Sequence, residues 1–379
     1  MKKFLRITAL ILCFVSVLTF AACTGSTKPT PEPNTPGEEI DNKDDEVEKG
    51  YTSILSDKKF KQGFIVRGLG APIYGDDIEF FGEAYDPMVY FDYGKKGLKP
   101  TWRLCQWATR YPFHDKENTS YEYKNGLKTF NYKFMDKGNG VYRYDNQSKT
   151  IEFNTKTGEY SLALKASECY KEVRVAGQEW PHLLLEQPIT PSSGVFEAAK
   201  ISDSASIRVK IDVKLNSFKD NMGDEADPSL HSAMCLFYLF VANYEPTTRA
   251  FTDMLWFGIP IFDNRYVFSP EMSFPDSGSK GSATEKWIFN ISSDNFFSPD
   301  NNLYDEEGKM IFGEWKTVDV ELVSLIRRAF EEAQNAGYMA NSSWENLYVN
   351  GMYTGYELPG NYDIDMSFKN IDIITEKIK

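Results

Sequence analysis

The residues of this 379-residue chain with chemical potential are aromatic and acidic, and they recur at a spacing of two. On residues 101–111, the parity that carries Arg103, Trp107, Thr109 and Tyr111 mixes rings with polar groups. On residues 180–187, Trp180, His182, Leu184 and Glu186 share one side. On residues 351–358, Tyr353, Gly355 and Glu357 do. Period two on a strand places such residues on one face. Rings interleaved with carboxylates suit a sugar polymer, whose ring faces pack on aromatics while its hydroxyls take hydrogen bonds. The bland alternative is a structural or adhesive envelope protein without a small ligand, in which the same residues are core aromatics and solvated rim charges. Glu186, inside Leu183-Leu184-Leu185-Glu186, requires a partner such as Arg103 or Arg174, because an unpaired buried carboxylate is costly.

Other chemistry finds less support. His114, His182 and His231 are the three histidines, and none lies in a G-x-S-x-G or H-E-x-x-H context. No C-x-x-C pair exists, which argues against zinc and thiol redox sites. Cys235 reads as a small core residue, whereas a Cys105–Cys169 bridge is compatible with an oxidising compartment but is not established by spacing. Loops 220–227 and 293–307 are rich in Asp and Asn without EF-hand spacing, so a structural calcium is allowed and no cofactor is expected.

The elements that must position these residues are mainly β. Residues 233–242 (AMCLFYLFVA) are apolar on both alternating faces and too short for a membrane span, which predicts a strand at the centre of a packed sheet. Residues 251–265 (FTDMLWFGIPIFDNR) read as its neighbour, ending at a polar rim. Residues 141–165 alternate through Tyr142, Tyr144, Ile151, Phe153, Leu162 and Leu164 with turns between, a meander of three antiparallel strands. Leu322, Leu325, Ile326, Ala329, Phe330, Ala333 and Ala336 recur at helical spacing, with Asp319 as the expected cap and Gly337 as the stop. Many short strands, one late amphipathic helix and no βαβ rhythm predict an all-β, two-sheet antiparallel sandwich of jelly-roll type.

A family resemblance follows from four segments: Leu236-Phe237-Tyr238-Leu239-Phe240, Met254-Leu255-Trp256, Gly355-Tyr356-Glu357, and residues 362–370. They resemble the later strands of concanavalin A-like jelly-roll glycosidases, nearest to compact retaining endo-β-glucanases. The resemblance covers about the last 150 residues. It implies an acid/base glutamate at Glu357 and a nucleophile two residues before Met254. That position holds Thr252, and Asp253 beside it points to the opposite face unless a bulge turns it. A retaining mechanism needs two carboxyls about 5 to 5.5 Å apart. The expected function is therefore polysaccharide binding, with Arg103, Trp107, Tyr111, Trp180, His182, Trp256 and Tyr353 as ligand contacts. The alternative is a hydrolase that uses Glu357 with Glu186 or Asp253.

The chain also carries an address. Lys2, Lys3 and Arg6 precede an apolar stretch, and Phe20-Ala21-Ala22-Cys23 resembles a bacterial lipobox, which implies cleavage after residue 22 and a lipid on Cys23. Residues 23–50, with four prolines and then an acidic run, read as a disordered linker, and residues 51–379 as the jelly-roll domain. The expected location is the outside of the bacterial cytoplasmic membrane, with the lipid as the only membrane contact. Loss of residues 1–22, which hold three bases and no acid, takes the formal charge from −13 to −16. Such a chain is a poor match to nucleic acid, whose binding depends on basic patches.

Overall fold

The computed structural model describes residues 50–67, 89–91, 93, 99–111, 113, 120–124, 127–131, 134–276 and 286–379. The leader, Cys23, His114 and nearly all of the linker lie outside them. In chain order the first strands are β1 (Tyr51–Ser53), β2 (Phe64–Arg67), β3 (Val89–Phe91), β4 (Trp102–Cys105), β5 (Ser120–Lys124) and β6 (Leu127–Asn131). Next come β7 (Met135–Gly138), β8 (Val141–Asp145), β9 (Lys149–Asn154), β10 (Tyr160–Lys165), β11 (His182–Pro188) and β12 (Ser204–Asp220). The last are β13 (Met234–Asn243), β14 (Met254–Asp263), β15 (Met272–Pro275), β16 (Trp287–Asn290), β17 (Lys316–Glu321), β18 (Leu347–Glu357) and β19 (Tyr362–Lys377). Helix α1 (Ala166–Cys169) follows β10, and α2 (Val323–Asn335) follows β17.

Two large sheets form a sandwich. One has the order β17-β12-β19-β10-β9-β8-β7, with β1 added to β19; the other runs β15-β16-β14-β13-β18-β11-β4-β2-β3. The expected all-β sandwich is therefore present, but it is mixed rather than purely antiparallel, because β2 runs parallel to β4 and β14 parallel to β16. The core lies between the sheets. From one side come Ile207, Val209, Ile211, Val213 and Leu215 of β12; from the other come Cys235, Phe237, Leu239 and Val241 of β13, all essentially sealed. Tyr356 crosses the gap, its hydroxyl donating to Leu162 O at 2.7 Å.

The strand pair expected over residues 233–242 and 251–265 behaves as its pattern implies, with one refinement. Strand β13 sits near the middle of its sheet, paired with β14 on one side and β18 on the other. Its two apolar faces do different things, however. Cys235, Phe237, Leu239 and Val241 face the core, whereas Met234, Leu236, Tyr238 and Phe240 face outward, where neighbouring rings pack on Tyr238 and Phe240. The meander β8-β9-β10 appears as predicted.

Three local expectations are corrected. Asp319 does not cap α2: it lies in β17 and pairs with Arg208, while the Glu321 carboxylate accepts the Val323 N–H at 3.0 Å. The strand expected over residues 101–111 ends at Cys105, and Ala108 takes φ +47°, so the alternation that put Tyr111 beside Arg103 breaks. Cys105, Cys169 and Cys235 are all buried, and no disulfide joins them. Cys105 faces outward on β4, whereas Cys169 ends α1 beyond β10 of the other sheet, so no Cys105–Cys169 bridge forms.

Candidate functional site

The register of the larger sheet arranges its outward residues in rows across the strands. One row reads Asn290, Gly258, Tyr238, Tyr353, Glu186 and Arg103. A neighbouring row carries Phe274, Ile288, Trp256, Phe240 and Gly351. Towards the opposite end lie Met234, Glu357 and His182. The His182 N–H donates to Trp107 O at 3.1 Å, which brings the loop after β4 to the same end.

The aromatic rings pack on each other above the strands. Tyr353 has its ring centre 5.1 Å from Tyr238, 5.6 Å from Phe240 and 5.7 Å from Trp256, and Trp256 meets Phe240 edge-on at 4.9 Å. Small residues leave the space for them. A Cβ on Gly258 would overlap Asn290 Oδ1 and come within 2.8 Å of a Tyr238 ring carbon. Gly355, at φ +143°, could not carry a Cβ without overlapping Leu183 O. These rings stand apart from the inter-sheet core, which argues against their being core aromatics. The buried Trp256 Nε1 and Asn290 Oδ1 on this face have no hydrogen-bond partner among the described residues.

Glu357 is held at one end of the strip. Its carboxylate accepts from Trp180 Nε1 at 3.2 Å and from the Tyr353 hydroxyl at 3.2 Å, and His182 Nε2 lies 3.6 Å away. His182 Nδ1 is 2.8 Å from Trp180 O. A carbonyl can only accept, so Nδ1 carries a proton, and Nε2 donates towards the carboxylate when the ring is protonated. Burial alone would raise the Glu357 carboxyl, but the charge of His182 and hydrogen bonds from His182, Trp180 and Tyr353 together hold it below its ordinary value. The Tyr353 phenol is pushed well up by burial and then by the charge of Glu357, and Tyr238 moves the same way for the same reasons. Both hydroxyls therefore stay neutral.

Glu186 has a different partner. Its carboxylate pairs with Arg103 on β4, and Cys105 Sγ lies 3.9 Å from the other oxygen. Glu186 stands opposite Tyr353, four residues from Glu357 along β18. At ~3.4 Å per residue that is about 14 Å between backbones. Asp253 lies further off. It precedes Met254, which pairs with Ala242, whereas Glu357 pairs with Met234 at the other end of β13, about 30 Å away by the same rise. The Asp253 carboxylate meets Lys286 at 3.4 Å. Thr252, where the family pattern needs a glutamate, sits outside the strand with φ +65°.

Of the residues expected to contact ligand, the structure thus brings Trp107, Trp180, His182, Tyr353 and Trp256 to the outer face with Glu357. Arg103 and Glu186 form a separate ion pair on that face. Tyr111 is elsewhere: its carbonyl accepts from Lys149 and Asn146. Pattern reading missed Tyr238, Phe240 and Asn290, although the hydroxyl-bearing parity of residues 234–243 was a usable signal. Arg174, the other cation considered for Glu186, instead has its guanidinium 5.0 Å from the Trp180 ring centre. Asp276, just past the edge strand β15, is a further charge that bears on both Tyr238 and Tyr353.

Among the described residues no cluster of three or more His, Cys, Asp or Glu could hold a metal ion. The acidic loops use their carboxylates in turns instead, as Asp227 does with Ser229 and Asp305 with Lys309. No helix of the described residues is long and apolar enough to cross a membrane.

No family model matches the chain, and neither does any curated protein. Among solved structures, the endoglucanase cel12A from Rhodothermus marinus is similar over 64% of this chain and 94% of its own, at 10% identity and a TM-score of 0.33. The native family 12 xyloglucanase from Bacillus licheniformis matches over 68% of this chain and 99% of its own, at 12% identity and a TM-score of 0.33. The family 11 xylanase from Neocallimastix patriciarum covers 63% and 97%, at 11% identity and a TM-score of 0.28. At these scores the likeness carries no argument about activity, and the sandwich rests on its own strand register.

Proposed function

We propose that this protein binds a neutral polysaccharide along the outer face of its larger sheet and does not cleave it. The observation that carries this reading is the state of Glu357. A general acid must hold its proton at working pH, which requires a raised pKa. Glu357 is shifted the other way and is already engaged by Trp180, Tyr353 and His182. Its nearest candidate partner, Glu186, is about 14 Å along the strands and turned to Arg103. Glycosidases turn their two carboxyls towards one bond, whereas these two stand four strand residues apart and face different partners. An ionised carboxylate beside an aromatic strip still accepts hydrogen bonds from sugar hydroxyls, and the partly exposed Trp256, Tyr353 and Phe240 offer apolar surface to ring faces.

The same proposal places the domain outside the cell membrane, tethered through a lipid on Cys23 and spaced from the surface by residues 23–50. The test uses the full chain with soluble and insoluble β-glucans. Retention that weakens at least tenfold in Trp256→Ala, without release of reducing ends, is the expected result. Reducing-end release that disappears in Glu357→Gln would establish the hydrolase alternative instead. No retention on any glycan of a broad array would remove both.

A further inference from the structure

The second sheet carries an aromatic site of its own. Trp315, just before β17, is half-buried on the outer face of the smaller sheet, beside Lys214 of β12 and Lys369 of β19. Lys214 Nζ lies 4.6 Å and Lys369 Nζ 4.2 Å from the centre of its indole ring. Neither ammonium has a carboxylate oxygen within 4.0 Å among the described residues. The nearby acids are otherwise engaged: Asp212 accepts from Thr317 Oγ1 at 2.7 Å and Asn370 Nδ2 at 2.7 Å, and Asp365 accepts from Asn216 Nδ2 at 3.0 Å. Asp365 still feels the charge of Lys214, so it tempers that ammonium without pairing with it. Phe312, half-exposed, adds apolar surface three residues before Trp315, and its loop is fixed by the Gly313 N–H donating to Leu215 O at 2.8 Å.

Each ammonium is attracted to the ring, but two like charges that converge on one indole repel each other. An anion seated between them removes that repulsion and gains two charge-assisted hydrogen bonds. The indole then offers its remaining surface to the ring that bears the anion. We propose that Trp315, Lys214 and Lys369 form a second binding site, for a sugar unit carrying an acidic group, on the sheet opposite the neutral-glycan face. A chain of net charge −13 repels polyanions at long range, so the attraction is confined to about one Debye length, ~8 Å at physiological ionic strength. One acidic sugar at a time is recognised, and not an extended nucleic acid.

The experiment measures binding of the full chain to polygalacturonate, dextran sulfate and an uncharged β-glucan at physiological and high salt. The expected result is binding to an anionic probe that fades with salt and falls at least tenfold in the Lys214→Gln/Lys369→Gln double variant, with Trp315→Ala showing the same loss. Preference for polygalacturonate assigns a carboxylate, and preference for dextran sulfate a sulfate ester. The double variant changes only half-exposed side chains and keeps the indole, so it decides the matter even if Trp315→Ala fails to fold. Trp256→Ala leaves this binding intact and affects only the β-glucan, which separates the site from the one on the larger sheet. Absence of binding to both anionic probes at physiological salt, or equal binding by the double variant, overturns the proposal.

Discussion

Lys149 sets up a sharp test of how the platform is held in place. Its ammonium is 2% exposed and donates to Thr109 Oγ1, to Tyr111 O at 2.5 Å and to Ser148 Oγ at 3.2 Å, with the Phe113 ring centre 5.5 Å away. These contacts pin the segment after β4, which carries Trp107, to the start of β9. None of the three acceptors is charged. Burial therefore pulls the ammonium from its usual 10.5 to about 8. For a base whose folded pKa lies below its unfolded one, the unfolded chain binds more protons across the interval between them, and stability rises with pH there. The shift corresponds to about 3 kcal/mol gained between pH 8 and pH 10.5, at 1.36 kcal/mol per unit. Buried tyrosines begin to oppose this above pH 10, so the useful window is pH 8 to 9.5 and the useful quantity is a difference. Denaturant titrations of the wild type and Lys149→Met should show the wild type gaining about 2 kcal/mol on the variant across that window. A pH-independent difference would refute the claim that this lysine is buried without a charged partner among the described residues.

Four further outcomes are expected. Asp57 is raised to about 6 by burial, against hydrogen bonds from Gln62 and Lys61, so its contribution is present at low pH and lost as pH rises through 6. Relative to Asp57→Asn, the wild type should lose roughly 2 to 3 kcal/mol between pH 4 and pH 7 in the same titrations. Glu357 has the opposite sign: its stabilisation is present above the ordinary carboxylate range and disappears as pH falls below it, so the wild type should lose stability to acid faster than Glu357→Gln. Gly258→Ala should cost about 1 to 3 kcal/mol by thermal melting and reduce β-glucan retention, because the new methyl displaces Asn290 and Tyr238. Cys105, Cys169 and Cys235 should be inert to a thiol reagent in the native protein and all react on denaturation without reductant, whereas a missing pair would reveal a disulfide.

The sequence by itself determined the class of fold and the parity of its strands. Period-two alternation is a local property, so Tyr353, Gly355 and Glu357 could be placed on one face, and His182, Leu184 and Glu186 on one face, without any knowledge of neighbours. The charge of Glu186 inside a leucine run likewise demanded a cation, and Arg103 supplies it. Tertiary structure decided which strands adjoin and in what register, since both depend on contacts between residues far apart in the chain. Register puts Glu357 opposite Met234 and leaves Asp253 at the far end of β13; no reading of residues 251–257 alone contains that distance. It also turns Tyr238 and Phe240 from core residues into the middle of an aromatic strip, because what covers a strand's second face is set by the side chains of its neighbours. The left-handed turns at Ala108 and Thr252 were invisible for a related reason: neither residue favours positive φ, and only the surrounding structure holds them there.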